Sequence, residues 1–407
     1  MSDVATVAEN PSASGTGIGP ARTLVFAAAC GLIVANLYFA QPLAGEIGRT
    51  LGLGAESIGL IVTVTQLGYA AGLVLLVPLG DLVENRRLIS STLVGAALGL
   101  AMMALAPSGA VFLGAAFALG LGSVAAQILV PFAAQLAPEA TRGRVVGNVM
   151  SGLMVGILLA RPVASMTADL WGWRAVFGTS AVATAILSAG LGRALPKRHP
   201  GAGLDYAGIL RSLITLLAGT PVLQRRAAYQ ACLFGAFSLF WTAVPLLLEG
   251  PSFHLTQRGI ALFALAGAGG AAIAPVAGRL ADRGLTRRYS GLFMVAVLAA
   301  FGLAWLGAAR TSIPLLVVAA IVLDLGVAAN LVLGQRAIFS LAAGIRSRLN
   351  GLFIAIFFIG GAAGSAFAGV AQARGGWPAV TALGAGFAGV CLLIYGSEFA
   401  KKSNPPL

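Results

Sequence analysis

Residues 313–337, IPLLVVAAIVLDLGVAANLVLGQRA, form an apolar run of twenty-five residues with one acid, Asp324, near its middle. At 1.5 Å rise per residue, a run of this length crosses the roughly 30 Å hydrocarbon core of a bilayer as a helix. Its apolar residues are continuous rather than alternating, so a lipid-facing barrel strand is excluded. Charge returns only at its edges, with Arg310 before it and Arg336, Arg346 and Arg348 at and beyond its end.

The rest of the chain repeats this pattern. Of 407 residues, 58% are apolar, 55 are glycine and only 10% are charged, against about 25% charged residues in ordinary globular chains. A soluble domain of this size could not cover its surface, so the chain is read as an all-α integral membrane protein. Apolar runs between charge clusters predict twelve transmembrane helices. In the first half they lie at 23–43, 57–79, 88–107, 110–136, 145–168 and 174–194. In the second they lie at 225–248, 259–280, 289–308, 313–337, 348–371 and 377–396. The division is a disordered tail 1–22, a six-helix half 23–194, a linker 195–224, a second six-helix half 225–396 and a tail 397–407. No cleaved signal peptide is expected. Within the linker, LDYAGILRSLITLLAG (204–219) suits an amphipathic surface helix, though its expected role is a tether.

The formal charge of +13 is sorted by side. Nineteen Lys and Arg, from Arg22 to Lys402, fall on one side of the spans, and five fall on the other: Arg49, Arg174, Arg258, Arg310 and Arg374. That asymmetry places both termini in the cytoplasm of a bacterial-type inner membrane. The basic excess is expected to meet anionic headgroups rather than nucleic acid. Cys30, Cys232 and Cys391 each sit inside a span and read as small apolar residues. His199 and His254 lie in separate loops, so no metal site, cofactor or catalytic constellation is expected, and the chain is not read as an enzyme.

The two halves echo each other. Gly172-Trp173-Arg174-Ala175-Val176 recurs at an offset of 204 as Gly376-Trp377-Pro378-Ala379-Val380, and the same offset relates Arg142 to Arg346, Arg144 to Arg348 and Gly156 to Gly360. Two halves of like orientation are the parallel repeat of a rocking transporter. Gly278-Arg279-Leu280-Ala281-Asp282-Arg283, followed by Arg287-Arg288, resembles the loop signature of the major facilitator superfamily. Its first-half copy, Gly80-Asp81-Leu82-Val83-Glu84-Asn85-Arg86-Arg87, keeps the acid and the arginine pair. The resemblance spans essentially the whole chain and is nearest to the drug:proton antiporter branch and its metabolite-efflux relatives. Asn36-Leu37-Tyr38-Phe39-Ala40-Gln41-Pro42 resembles the end of helix 1 in many bacterial members. The chain departs from that branch in two places: Ala116–Gly122 in helix 4 lacks an arginine, and the helix 5 signature is reduced to Gly152, Gly156 and Arg161-Pro162.

An ionisable side chain at a helix centre costs at least ~2.5–3.5 kcal/mol in the bilayer, so each one asks for a role. Asp324 lies about 16 Å into its span. Burial favours the uncharged form of a carboxyl group, so Asp324 suits proton loading and release; a purely structural lock between helices is the other reading. Arg161 sits about 24 Å up helix 5, able to draw an anionic substrate, to pair with Glu249 when an outer gate closes, or to snorkel to headgroups. Polar residues on spans that line the cavity in the family give the remaining cavity set: Asn36, Tyr38, Gln41, Gln66, Tyr69, Gln127, Tyr229, Gln230, Trp241, Asn330 and Gln335. Each could equally serve interhelical hydrogen bonding. By resemblance, Asp81 and Asp282, with the arginines beside them, fasten the inward gate. Gly68/Gly72, Gly95/Gly99, Gly152/Gly156 and Gly360/Gly364 read as close helix contacts.

The expectation is a monomeric secondary transporter with a small-molecule substrate, protons and membrane lipid as its partners. Proton-coupled efflux of a neutral or anionic drug-like compound or metabolite leads. Proton-coupled uptake or facilitated diffusion of a small organic anion, and a non-transporting receptor or lipid-moving protein on the same scaffold, remain open.

Overall fold

The computed structural model describes residues 19–197, 205–267, 269–270, 273–341 and 345–400. The expected tails at 1–18 and 401–407 and linker residues 198–204 lie outside the described residues, and with them Arg198, His199, Lys401 and Lys402. Regular structure among the described residues is entirely helical. In chain order the α-helices are α1 (Pro20–Ala35), α2 (Ala44–Thr50), α3 (Leu60–Leu75), α4 (Asn85–Ala104), α5 (Gly109–Gly122), α6 (Ala125–Leu136), α7 (Arg142–Trp171) and α8 (Trp173–Ala194). There follow α9 (Tyr206–Gly219), α10 (Pro221–Glu249), α11 (Gln257–Ala264), α12 (Ala274–Asp282), α13 (Thr286–Ala309), α14 (Ile313–Phe339) and α15 (Arg346–Ala400).

Among the described residues, nine helical stretches are long and apolar enough to cross a membrane. Several expected spans are not single straight helices. Helix 1 starts at Pro20, three residues earlier than expected, and after Ala35 tightens into short-range turns up to Leu43. Pro42 cannot donate to the carbonyl of Tyr38, so α-helical bonding cannot continue there. The expected span 110–136 divides at Ser123, whose hydroxyl turns back to the carbonyl of Leu119 at 2.8 Å. Within the expected span 259–280, α11 ends at Ala264 and tightens into a 3-10 turn at Leu265–Gly267, and α12 starts at Ala274; residues 268, 271 and 272 lie outside the described residues.

The expected spans 348–371 and 377–396 fall within one helical stretch, α15, whose backbone leaves helical geometry at Gly376 (φ 60°, ψ −158°). Gly172 holds the matching conformation, φ 79° and ψ 161°, between α7 and α8. Only glycine adopts this region without strain, which explains why the glycine of the repeated Gly-Trp pair is needed twice. Each Trp then anchors the turn. Trp377 donates its indole N–H to Ala304 O at 3.0 Å, and Trp173 packs edge-on to Phe112 and Phe177.

Helix α1 crosses α7, and α10 crosses α15, with backbones in contact. A Cβ on Gly156 would lie 2.2 Å from Gly31 O, and one on Gly364 would lie 1.9 Å from Gly235 O. The structure thus matches Gly156 with Gly364, and Gly152 with Gly360, rather than Gly156 with Gly360 as the offset of 204 implies. The crossing in the second half sits four residues, about one helical turn, further along its helix. Gly68, Gly72 and Gly99 also meet backbone, whereas Gly95 has nothing within 4 Å and makes no such contact.

The linker contains the expected surface helix, α9. Asp205 caps it by accepting from Gly208 N at 3.0 Å. Ile209 and Leu213 are buried beneath it, Tyr206 donates to Leu75 O at 2.9 Å, and Arg348 donates to Ser212 Oγ at 3.4 Å. It therefore touches the end of α3 and the start of α15.

Candidate functional site

A cavity of about 610 Å³ lies between α1, α3, α6, α7, α10, α14 and α15. Its wall is mainly Leu, Val, Met and Phe, and its rim, at the end of the bundle shared with α9, carries the exposed side chains of Arg346 and Ser347. Its depth holds Arg161 from α7 and Asp324 from α14.

Arg161 is buried, 5% exposed, with no carboxylate within ion-pair distance among the described residues. Its Nε donates to Gln41 Oε1 at 2.8 Å. Its guanidinium lies over three rings: Trp241 at 4.4 Å, Phe237 at 5.1 Å and Tyr38 at 5.2 Å. Aromatic faces hold a weakly hydrated guanidinium well when water is excluded. Its Nη2 and the Nε2 of Gln41 are both buried without a hydrogen-bond partner among the described residues.

Asp324 is 6% exposed, and its Oδ1 accepts the indole N–H of Trp241 at 2.8 Å. Oδ2 accepts no hydrogen bond among the described residues. Gly267 and Gly270 make room for this carboxylate: a Cβ on either would come within 2.9 Å of Asp324 atoms. Gly267 and Gly270 thus serve close packing against α14. One indole therefore bridges the pair, with its face on the cation and its N–H on the anion.

The other expected site residues separate into two groups. Tyr38, Tyr69, Gln127, Gln230 and Gln335 line the cavity, with Gln127 donating to Tyr69 at 3.1 Å. Asn36, Gln66, Tyr229 and Asn330 do not; they bond helix to helix. Asn36 meets Thr184 and Ser180 on α8, and Asn330 reaches Ser290 O on α13. Gln66 donates to Ser238 at 3.0 Å, and the Tyr229 hydroxyl donates to Glu398. Gln41 and Trp241 stand behind the cavity wall, holding Arg161 and Asp324. Sequence reasoning passed over Asn350, Phe234, Phe357 and Phe358, which also line the cavity. It also passed over Glu398, although this is the one acid that follows Asp324 in the chain.

The end of the bundle opposite the rim is closed by three ion pairs, each joining the first half to the second. They are Arg49–Glu249 at 3.3 Å, Asp169–Arg258 at 2.6 Å and Glu56–Arg374 at 2.9 Å. Glu249 thus pairs with Arg49, which is exposed at that end, and not with Arg161, which lies deeper against Trp241. Below them Thr63 shares a hydrogen bond with Ser365 at 2.9 Å.

At the rim end, no ion pair among the described residues crosses between halves. Glu84–Arg87, Asp282–Arg336 and Arg287–Glu398 each stay within one. Asp81 makes no ion pair among the described residues and shares a pocket of about 40 Å³ with Arg348. Of the remaining signature residues, Arg86 reaches Leu195 O at 3.5 Å, Arg283 and Arg288 are exposed, and Gly278 lies beside Arg336. No group of three or more His, Cys, Asp or Glu among the described residues could hold a metal ion.

A chain of membrane-crossing helices around a central cavity, with ion pairs joining the two halves at one end, has the build of a carrier, and known proteins agree. The chain is 41% identical over 385 residues to the uncharacterized transporter YgaY of Escherichia coli O157:H7, covering 95% of this chain and 97% of that one. It is 34% identical over 378 residues to the probable transporter SCO4007 of Streptomyces coelicolor, covering 92% and 87%. Among solved structures, a nucleoside transporter, NupG, superposes with a TM-score of 0.74 at 15% identity, covering 93% of this chain and 98% of that one. A bacterial homolog of the human lysosomal transporter Spinster, in an inward-facing and unoccupied conformation, gives 0.73 at 15%, covering 92% and 95%. The family model of the Major Facilitator Superfamily matches residues 24–313 and again 227–406, so this membrane-embedded chain belongs to that superfamily of transporters.

Proposed function

We propose that this protein moves a small amphipathic molecule across a bacterial inner membrane by alternating access between two six-helix halves, with Asp324 carrying a coupling proton. The observation that carries the reading is the position of Asp324. Its carboxylate lines the deep end of the cavity, keeps Oδ2 without a hydrogen bond among the described residues, and lies beside the one buried arginine of that cavity. A carboxylate in this setting can exchange a proton with water in the cavity and be isolated from it when the halves rock.

The twelve-span count rests on taking α15 as two spans divided at Gly376, and the interrupted stretches 20–50 and 257–282 as one span each. Read with the nineteen-to-five distribution of Lys and Arg, the cavity faces the cytoplasm and the three ion pairs close the outer side. The drug:proton antiporter branch makes export the first direction to test. The specific observation favouring a second reading, proton-coupled uptake of an organic anion, is Nη2 of Arg161, which has no hydrogen-bond partner among the described residues.

Proteoliposomes with an internal pH dye test both. Substrate-evoked proton movement is expected from the wild type and lost in Asp324→Asn, and its sign separates export by exchange from uptake. Substrate flux with no proton movement, unchanged in Asp324→Asn, sinks the coupling reading.

A further inference from the structure

We propose that the deep end of the cavity is a carboxylate-binding site whose ligand is an aromatic monocarboxylate, and that this anion and one proton occupy the site together. The inference rests on the reading of Asp324 as the proton carrier and extends it to the substrate; because anion and proton load together, it takes the second reading, proton-coupled movement of an organic anion, over export by exchange.

Two observations point to an anionic ligand. Arg161 lines the cavity and keeps Nη2 buried without a hydrogen-bond partner among the described residues, while Gln41, behind the wall, fixes the guanidinium by accepting from its Nε. A buried donor left unsatisfied is a standing cost that a ligand oxygen removes, and a guanidinium offers two parallel N–H groups to a carboxylate. The nearby cavity wall supplies the rest of the ligand's shape. Phe234, Phe357 and Phe358 pack edge-on or tilted against one another at 4.9 to 5.1 Å between ring centres, and Phe237 stacks on Phe234 at 5.3 Å. An aromatic body fits among these rings with its carboxylate toward Arg161.

Charge balance then couples the proton. The charged and titratable groups facing Asp324 are Arg161 from α7 and Tyr38 from the turns that follow α1; Trp241 on α10 supplies a neutral donor, and Gly267 and Gly270 face it without side chains. The empty site therefore holds one fixed positive and one negative charge. An added carboxylate leaves a net negative charge in a cavity walled by apolar groups, which is costly. Protonation of Asp324 on Oδ2, with the proton taken from cavity water, restores neutrality. The anion and the proton thus load as a pair, and a neutral analogue carries no such requirement.

The test is calorimetric binding to the full-length protein in detergent, using benzoate, 3-phenylpropionate and 2-naphthylacetate, each beside its neutral amide. Titrations in two buffers of different ionisation enthalpy count the protons exchanged. Carboxylates are expected to bind about tenfold or more tightly than their amides, with about one proton taken up per anion. Arg161→Gln should erase the preference for the acid. Asp324→Asn should keep the binding and abolish the proton uptake, and a thermal melt of each variant reports whether it is folded. Amides binding as well as acids, acids binding with no proton uptake by the wild type, or no acid binding at all would each overturn the proposal. The two readings fail separately. Proton-coupled flux of a neutral or cationic substrate removes the anion site but leaves Asp324 as carrier, whereas anion binding with proton uptake but no flux in liposomes removes the transport cycle and leaves the site.

Discussion

Trp241 donates its indole N–H to Asp324 at 2.8 Å while the face of the same ring lies 4.4 Å from the guanidinium of Arg161. Arg161 belongs to the first half of the chain, and Trp241 and Asp324 to the second, so the indole joins the two halves at the cavity's two buried charged side chains. Trp241→Phe keeps an aromatic face for Arg161 and removes only the donor. A hydrogen bond to a charged group is worth about 1.5–3 kcal/mol, so transport should fall about tenfold or more with the fold intact. Trp241→Ala removes both contacts and should lower the melting temperature as well. Equal transport by wild type and Trp241→Phe would assign the ring a packing role alone.

The three ion pairs at the closed end hold one conformation, and their exposed arginines make each of them individually weak. Arg49 is 65% exposed and Arg258 69% exposed on their side chains, in the range where a pair contributes little by itself. Their effect is therefore expected on the balance between conformations rather than on folding. In a chain without its native cysteines, Ser238→Cys on the buried seam reports opening of that end to a maleimide. Glu249→Gln combined with Asp169→Asn should raise its labelling rate by about two- to fivefold, and labelling of Ser347→Cys at the opposite rim should fall. An unchanged ratio of the two rates would show that the pairs do not set the equilibrium.

What the sequence made legible follows from how far each signal reaches along the chain. Apolar runs and arginine clusters are local, so α7, α8, α10, α13 and α14 fall within a few residues of their expected positions. Asp324 and Arg161 stood out because charge in an apolar run is conspicuous by itself. Their partners did not, because the neighbours of a side chain in a bundle come from distant parts of the chain. Asn36, Tyr229 and Asn330 look the same in sequence as Tyr38, Tyr69 and Gln127, and only the rotation of each helix decides between a seam and a cavity. Aromatic lining residues such as Phe357 are likewise indistinguishable from lipid-facing ones in a span that is apolar all round. The repeat offset misled for a different reason: equal spacing at the ends of a helix does not fix the height of a crossing in its middle.

Tyr229 separates a seam role from a cavity role. Its hydroxyl donates to Glu398, which also lies 3.3 Å from Arg287, whose guanidinium stacks on Phe399 at 3.9 Å. This knot ties α10, α13 and the end of α15 away from the cavity. Tyr229→Phe should leave substrate affinity unchanged within about twofold and lower the melting temperature by a few degrees, roughly what loss of a single buried hydrogen bond costs. Gln127→Leu in the cavity wall should do the reverse, changing affinity with little change in melting. A Tyr229→Phe variant that binds substrate more weakly at an unchanged melting temperature would return Tyr229 to the cavity.

The glycine crossings give the sharpest separation between sequence pattern and structure. Gly95 and Gly99 form the same four-residue motif as Gly152 and Gly156, yet Gly95 has nothing within 4 Å, while a Cβ on Gly99 would sit 2.9 Å from Leu119 N. Gly95→Ala should therefore melt within about a degree of wild type. Gly156→Ala and Gly364→Ala force apart helices whose carbonyls lie 2.2 and 1.9 Å from the added carbon. Overpacking of this kind costs about 1–3 kcal/mol, and neither backbone can move without displacing its whole helix. Both variants should lose several degrees of melting temperature in detergent, and by similar amounts, because the two crossings are equivalent at the shifted register. If Gly360→Ala matched Gly156→Ala while Gly364→Ala were silent, the offset of 204 would hold through the middle of the helix and the one-turn difference between the halves would be wrong.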